Sequence, residues 1–455
     1  MQVNKINISY ILGSRMDISF YQKRFDYVSN IFPLYSLSQL LYVNPSVNFN
    51  GLSPDDDISF VPMETIDEIN GLIRDKRVTK VSNAKGFIRF ADNDLLWSKL
   101  PPCMQNGKSA IARNLINGYG CGSREFYVLR PKENNILIEY VHYLLRDKRA
   151  LESAKNIFGG SAGQQRVSIS YLKSIKIPLP PLEVQKEIVT LYNKAQNERI
   201  ENNNKANKIL ESIDEYLLAS LNVEIPTIKK KEVNFKLDIA DVIGNRLDVS
   251  YYRDRFNLKS STYDNKQLSD IVYLNPSVNV KHLDKDDKIS FIPMENINEV
   301  YGEINENVDM TVSQMKRFTK FEEGDLLWTK ISPCMQNGKT AIARNLTNGI
   351  GCGSTEFYVL RPINKDIISV DYIYCILRIH KVLEAAQSSF VGLAGQQRVP
   401  SGYIMSLSIP IPPIAKQIEI SSHVVEMKNK VKQLQQKGSE LIEEAQQKIE
   451  EILLM

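Results

Sequence analysis

The chain has 455 residues, of which 43% are apolar and 24% charged, and its formal net charge is +4. That length suits two to four domains, the composition is ordinary for a soluble globular protein, and no run of eighteen apolar residues marks a membrane span. Residues 1–180 hold the basic excess, 23 Lys and Arg against 16 Asp and Glu, so phosphate contact would rest on local clusters of basic side chains.

The first residues, Met-Gln-Val-Asn-Lys-Ile-Asn, lack the apolar core of a signal peptide, and a cytoplasmic location is expected. Residues 1–180 read as mixed α/β. Short apolar runs at Ile58–Met63, Asp94–Leu100, Ser109–Leu115 and Glu125–Arg130 are separated by Gly, Pro, Asn and Asp, the signature of short strands. Residues 139–153 have helical spacing, with a basic face at Arg146, Lys148 and Arg149. The Gly-rich stretch 159–167 reads as a loop. Pro181 then opens a long helix, because proline is tolerated in a first turn. From Leu182 to Leu221 there is no Gly or Pro, and a 4-3 seam runs through Ile188, Tyr192, Ala195, Arg199, Asn202, Ala206, Ile209, Ile213, Tyr216 and Ser220. Residues 223–235, with Lys229, Lys230 and Lys231, read as a linker. Residues 236–412 repeat the first module. Pro413 opens a second long helix with a seam at Val424, Met427, Val431, Leu434, Gly438, Leu441, Ala445, Lys448 and Ile452. Gly438 costs the helix about 1 kcal/mol relative to Ala and suits a close helix crossing. The expected domains are therefore 1–180, 181–222, 223–235, 236–412 and 413–455.

The repeat is explicit. Residues 97–131 and 328–362 are identical at 28 of 35 positions. Asn44 to Val47 matches Asn275 to Val278, and Ile58 to Glu64 matches Ile289 to Glu295 at the same offset of 231. After Pro131 the offset becomes 232, carrying Gly163 to Val167 onto Gly395 to Val399 and Pro178 to Pro181 onto Pro410 to Pro413. A unit this long is a domain rather than a solenoid repeat. Two seamed helices of similar length in one chain should pair, and antiparallel pairing gives an approximate two-fold axis.

No catalytic constellation emerges. Asn44-Pro45-Ser46-Val47 lacks the second proline and the aromatic of an amino-methyltransferase motif. In Gly118-x-Gly120-x-Gly122 a strand follows where a dinucleotide fingerprint needs a helix. Asp55, Asp56 and Asp57 have no full counterpart in the second copy. The five cysteines form no Cys-x-x-Cys pair and only four histidines accompany them, so neither a metal site nor a disulfide framework is expected. No cofactor is expected in this chain.

What remains is a set of polar loop residues suited to base and phosphate contact. In the first module these are Lys99, Gln105, Asn106, Lys108, Arg113, Arg124, Gln164, Gln165 and Arg166. In the second they are Lys330, Gln336, Asn337, Lys339, Arg344, Thr355, Gln396, Gln397 and Arg398. Gln and Asn pair bidentately with adenine, and Arg or Lys with guanine. Asn106-Gly107 is equally an ideal turn.

Several of these motifs together resemble the specificity subunit of type I restriction–modification systems. They are Gly-Asp-Leu-Leu-Trp-x-Lys at 324–330, Pro-Cys-Met-Gln-Asn-Gly-Lys at 333–339, Gly-Ser-Thr-Glu-Phe at 353–357 and Ile-Pro-Leu-Pro-Pro-Leu-Glu-Val-Gln-Lys at 177–186. The resemblance implies an α/β (α+β) fold, with two similar target recognition domains separated by two long helices forming an antiparallel coiled coil. It implies that each domain reads half of a bipartite DNA site. It also implies a non-catalytic chain whose partners are double-stranded DNA, two modification (methyltransferase) subunits and restriction (translocase/endonuclease) subunits. S-adenosylmethionine, ATP and Mg2+ would sit on those partners. Departures occur at Arg124 against Thr355, at Asp92-Asn93-Asp94 against Glu323-Gly324-Asp325, and at Ala415, which stands where Glu183 stands in the first copy. Alternatives are the specificity partner of a fused nuclease–methylase, and a coiled-coil scaffold carrying two protein-binding modules.

Overall fold

The strand Leu95–Ser98 shows how the first module is built. Side chains of a strand alternate between faces. Leu95 and Trp97 enter a core shared with helices, whereas Leu96 points into a second core with Phe90, Phe126 and Val128. A sheet covered on both faces reads as a continuous apolar run, which is why Leu-Leu-Trp shows no alternation. The computed structural model describes residues 25–155, 158–159, 165–223, 258–393 and 395–454. Gln164 and all of the expected linker except Val223 lie outside them.

The module holds two four-stranded sheets. One orders Leu41–Val43, Phe126–Pro131, Leu95–Ser98 and Ser109–Ile111; the other orders Arg77–Lys80, Asp57–Val61, Tyr119–Gly122 and Ile88–Ala91. All pairings are antiparallel except Asp57–Val61 with Tyr119–Gly122. Leu34–Ser36 pairs with Lys176–Pro178, the segment that leads into the first long helix. The second module has the same strand orders, including the parallel pair Lys288–Ile292 with Ile350–Gly353.

The glycines of the Tyr119–Gly122 strand are packing residues. A Cβ on Gly120 would lie 2.4 Å from the Phe90 ring, and one on Gly122 would lie 2.2 Å from the Val61 carbonyl oxygen. Gly351 and Gly353 meet Phe321 and the Ile292 carbonyl in the same way.

The long helices span Leu182–Ser220 and Ile414–Leu454. By contacts the chain divides into Met1–Asn203 with Gln435–Met455, and Asn204–Leu434, so the cut falls inside both helices. In the first unit Ile188, Ile449 and Leu453 join the module core, and Ala195 packs with Ile442 and Ala445. The pairing is antiparallel, since the second helix's numbers fall as the first's rise. In the second unit Leu217, Leu218, Ile420 and Val424 join the core, and the Tyr216 ring lies tilted against that of His423, centroids 4.4 Å apart.

The expected seam of the second helix is partly shifted. Val424, Val431, Gly438 and Ala445 are buried as expected, but Lys428, Ile442, Ile449 and Leu453 are buried in place of Met427, Leu441, Lys448 and Ile452, of which Lys448 is exposed. Each helix packs on a module as well as on its partner, so its buried face is set by both neighbours rather than by a two-strand seam alone.

Gln185 and Gln417, both fully buried, explain the motif that begins each helix. Gln185 Oε1 accepts from the Leu137 amide at 2.8 Å, and its Nε2 donates to the Asn135 and Pro180 carbonyls. Gln417 repeats this with Ser369, Ile367 and Pro412. Glu183 is exposed, so its replacement by Ala415 in the second copy leaves the junction intact.

Candidate nucleic-acid interface

One polar cluster forms where the strand Leu95–Ser98 ends. The Lys99 amide donates to the Glu125 carbonyl at 2.9 Å, and the Val167 amide donates to the Lys99 carbonyl at 3.0 Å. These bonds bring three distant segments together. The Arg166 guanidinium grips the Glu125 carboxylate bidentately, both contacts at 2.7 Å. This hydrogen bonding holds the Glu125 carboxyl below its usual range. Lys99 lies 5.3 Å over the Tyr127 ring, and burial lowers its amine from the ordinary lysine value. Exposed Arg124 and Gln165 flank the cluster, with Arg124 Nε donating to the Gly86 carbonyl.

The second module repeats the construction. Arg398 grips Glu356 bidentately at 2.8 Å, Lys330 lies 5.1 Å over Tyr358, and the Val399 amide donates to the Lys330 carbonyl. The Gln397 carbonyl accepts from the Ser332 amide, and Gln336 Oε1 accepts from the Ser332 hydroxyl. Thr355 and Gln396 are exposed beside it. The cluster can present several donors at once to phosphate or base edges.

The other expected contact residues are not brought to this cluster. Asn106 Nδ2 donates to Glu68 at 3.3 Å, Lys108 Nζ donates to the Met63 carbonyl at 3.5 Å, and Arg113 pairs with Glu139. Asn337, Lys339 and Arg344 make the same bonds to Glu299, Met294 and Asp371. Gln105 lies half-buried in the turn before Asn106. Arg146, expected on a basic helix face, turns inward instead. The helix breaks after Leu144, and Arg146 donates to the carbonyls of Gly107, Glu68 and Ile69.

The basic residues of 65–89 are likewise largely occupied. Arg74 pairs with Asp67, Arg77 with Glu64 and Asp75, and Lys80 with Asp57. Lys76 donates to the Arg113 carbonyl. Lys85 stays exposed.

The sequence reading also missed Glu125 and Glu356, the carboxylates that organise both clusters. Their signal was present, since Glu-Phe-Tyr occurs identically in the two copies. The Asp92-Asn93-Asp94 departure is conformational. Asn93 has φ +67° where Gly324 has +86°, and asparagine tolerates that left-handed region. Asp92 accepts the Leu115 amide as Glu323 accepts the Leu346 amide.

The sequence profile of the type I restriction modification DNA specificity domain matches twice, at residues 44–212 and 260–451. The chain belongs to this family. Each specificity-domain match covers one module together with much of the long helix that follows it. The chain is 34% identical over 187 residues to the type I restriction enzyme EcoAI specificity subunit of Escherichia coli. It is 30% identical over 194 residues to the MjaIX specificity subunit of Methanocaldococcus jannaschii. These matches span 41% and 42% of this chain, and 31% and 42% of the relatives' lengths. A chain solved in work on complex assembly and conformational transition of a type I restriction–modification system has the same fold. Its TM-score is 0.51 at 14% identity, over 94% of this chain and 98% of that one.

Proposed function

We propose that this chain is the DNA-reading subunit of a type I restriction–modification complex, each module recognising one half of a bipartite target. The observation that carries the reading is the duplicated specificity domain with a partly exposed Arg-Gln-Lys cluster in each copy. The chain is non-catalytic. Modification subunits bring S-adenosylmethionine, and restriction subunits bring ATP and Mg2+. Among the described residues no helix is long and apolar enough to cross a membrane. The number of helical turns between the modules sets the distance between half-sites. The target is an interrupted, nearly palindromic sequence with an adenine in each half, because the two clusters share Lys, Gln and Arg at matching positions. Mapping methylated adenines after co-expression with the cognate modification subunits tests this. The expected motif has two short halves around a fixed spacer. Methylation at a continuous site, or methyl transfer by the chain alone, would overturn it.

A further inference from the structure

In the first module the strands Ile66–Asp67 and Leu72–Ile73 form a hairpin. Asp67 shapes its tip, accepting from the Ile69 and Asn70 amides at 2.9 and 3.1 Å, and Gly71 takes φ +67°. The tip offers three successive carbonyls. Arg146 donates to those of Glu68 and Ile69, both at 2.9 Å. The long helix supplies the rest: Arg199 donates to Ile69, and Gln196 Nε2 donates to Asn70 at 2.7 Å.

The second module has the same tip with different donors. Asn298 accepts from the Val300 and Tyr301 amides, and Gly302 has φ +65°. Arg378 donates to the Glu299 and Val300 carbonyls at 2.8 and 2.9 Å. Lys428, from the second long helix, donates to the Tyr301 carbonyl at 2.9 Å, as does the Tyr374 hydroxyl at 2.7 Å. Lys428 matches Gln196 at the offset of 232, and Val431 matches Arg199. The helix residue has thus changed from Gln to Lys while its bond to the tip has persisted.

We infer that these two hairpin-tip contacts are latches that fix the angle of each module on its long helices, making Gln196, Arg199 and Lys428 positioning residues for half-site spacing. Apolar contacts between a module and a helix permit small sliding. A set of hydrogen bonds onto three adjacent carbonyls is directional and permits one register. Burying a lysine here costs desolvation that an apolar side chain would avoid, so the bond, not packing, accounts for the residue. The inference rests on the reading of the chain as a two-half-site DNA reader.

The test uses the full chain assembled with its modification subunits, and duplexes carrying the mapped halves at the native spacer or one base pair longer or shorter. Lys428→Gln keeps a donor, as Gln196 does, and retains the preference for the native spacer. Lys428→Met loses about tenfold of that preference, the worth of a hydrogen bond from a charged donor, while base preference within each half is unchanged. Arg199→Met makes the same test in the first unit. Spacer preference unchanged in both methionine variants overturns the latch while leaving the two-half-site reading intact. A wild-type complex indifferent to spacer length overturns both.

Discussion

Lys428→Gln should stabilise the second unit at neutral pH and remove most of a specific pH dependence. Lys428 is 7% exposed. Burial pushes its amine down from 10.5 to about 7, with the like charges of Arg378 and Lys432 adding and Cys375 and Glu303 opposing. The Tyr374 ring faces it at 4.4 Å, and Asp214 lines the same cavity. A lowered folded value means that the unfolded chain binds more protons between pH 7 and 10.5. Stability therefore rises with pH across that window and is flat below it. At about 1.4 kcal/mol per tenfold, the cost at pH 7 is on the order of 4 kcal/mol. Glutamine keeps a hydrogen bond but loses a ring contact worth about 1–2 kcal/mol, leaving a net gain of roughly 2–3 kcal/mol. Each unit holds one of the two tryptophans, Trp97 and Trp328. In a Trp97→Phe background, urea unfolding followed by Trp328 fluorescence reads the second unit. The wild-type midpoint should climb from pH 6 to 9.5 more steeply than the variant's. A gain independent of pH, or a loss, would refute the argument that a buried ammonium is being tolerated.

Gly438→Ala should destabilise by about 1 kcal/mol despite its better helix propensity. The new Cβ would sit 2.9 Å from Arg199 Cγ; in an Arg199→Ala background the same change should become stabilising in thermal unfolding. Asp325→Asn should cost the second unit about 3 kcal/mol, because it breaks the bidentate bond to Arg361 at a carboxylate 1% exposed. The Trp328 transition should move and the Trp97 transition should not. Inserting a heptad near Asn202 with another near Gly438 adds about 10 Å of helix. The methylated motif should then gain roughly three base pairs of spacer at 3.4 Å each; an unchanged spacer in an active complex refutes the ruler. Arg124→Thr should move the first half-site towards the second if Arg124 reads a base, and should only flatten the salt dependence of binding if it holds a phosphate.

Much of the architecture was legible because duplication and helix signals are local. Pro181 and Pro413 placed the helix starts within a residue of Leu182 and Ile414. The helix face was less legible. A heptad reading assumes a single partner, and the module behind the helix moved burial from Leu441 and Lys448 towards Ile442 and Ile449. The latches were invisible for a different reason. Arg146, Gln196 and Lys428 bond to backbone carbonyls, which carry no side-chain signature, and Gln196 lies 126 residues from its acceptor. Polar residues beside a seam look like solvated surface until the chain that covers them is placed.

The same distinction bears on how symmetric the target should be. The identical stretch Pro102–Lys108, repeated at 333–339, is largely occupied with bonds inside its own module. Asn106 and Lys108, like Asn337 and Lys339, spend their side chains on Glu68, Met63, Glu299 and Met294. Their identity therefore reflects a shared scaffold and carries little weight for shared bases. The argument for matching half-sites rests instead on the clusters at Glu125 and Glu356, where Lys, Gln and Arg are shared and partly exposed. Beside those clusters exposed Arg124 stands against exposed Thr355. A long cation and a short hydroxyl cannot make the same contact. The halves should thus agree where the clusters reach and diverge next to residue 124.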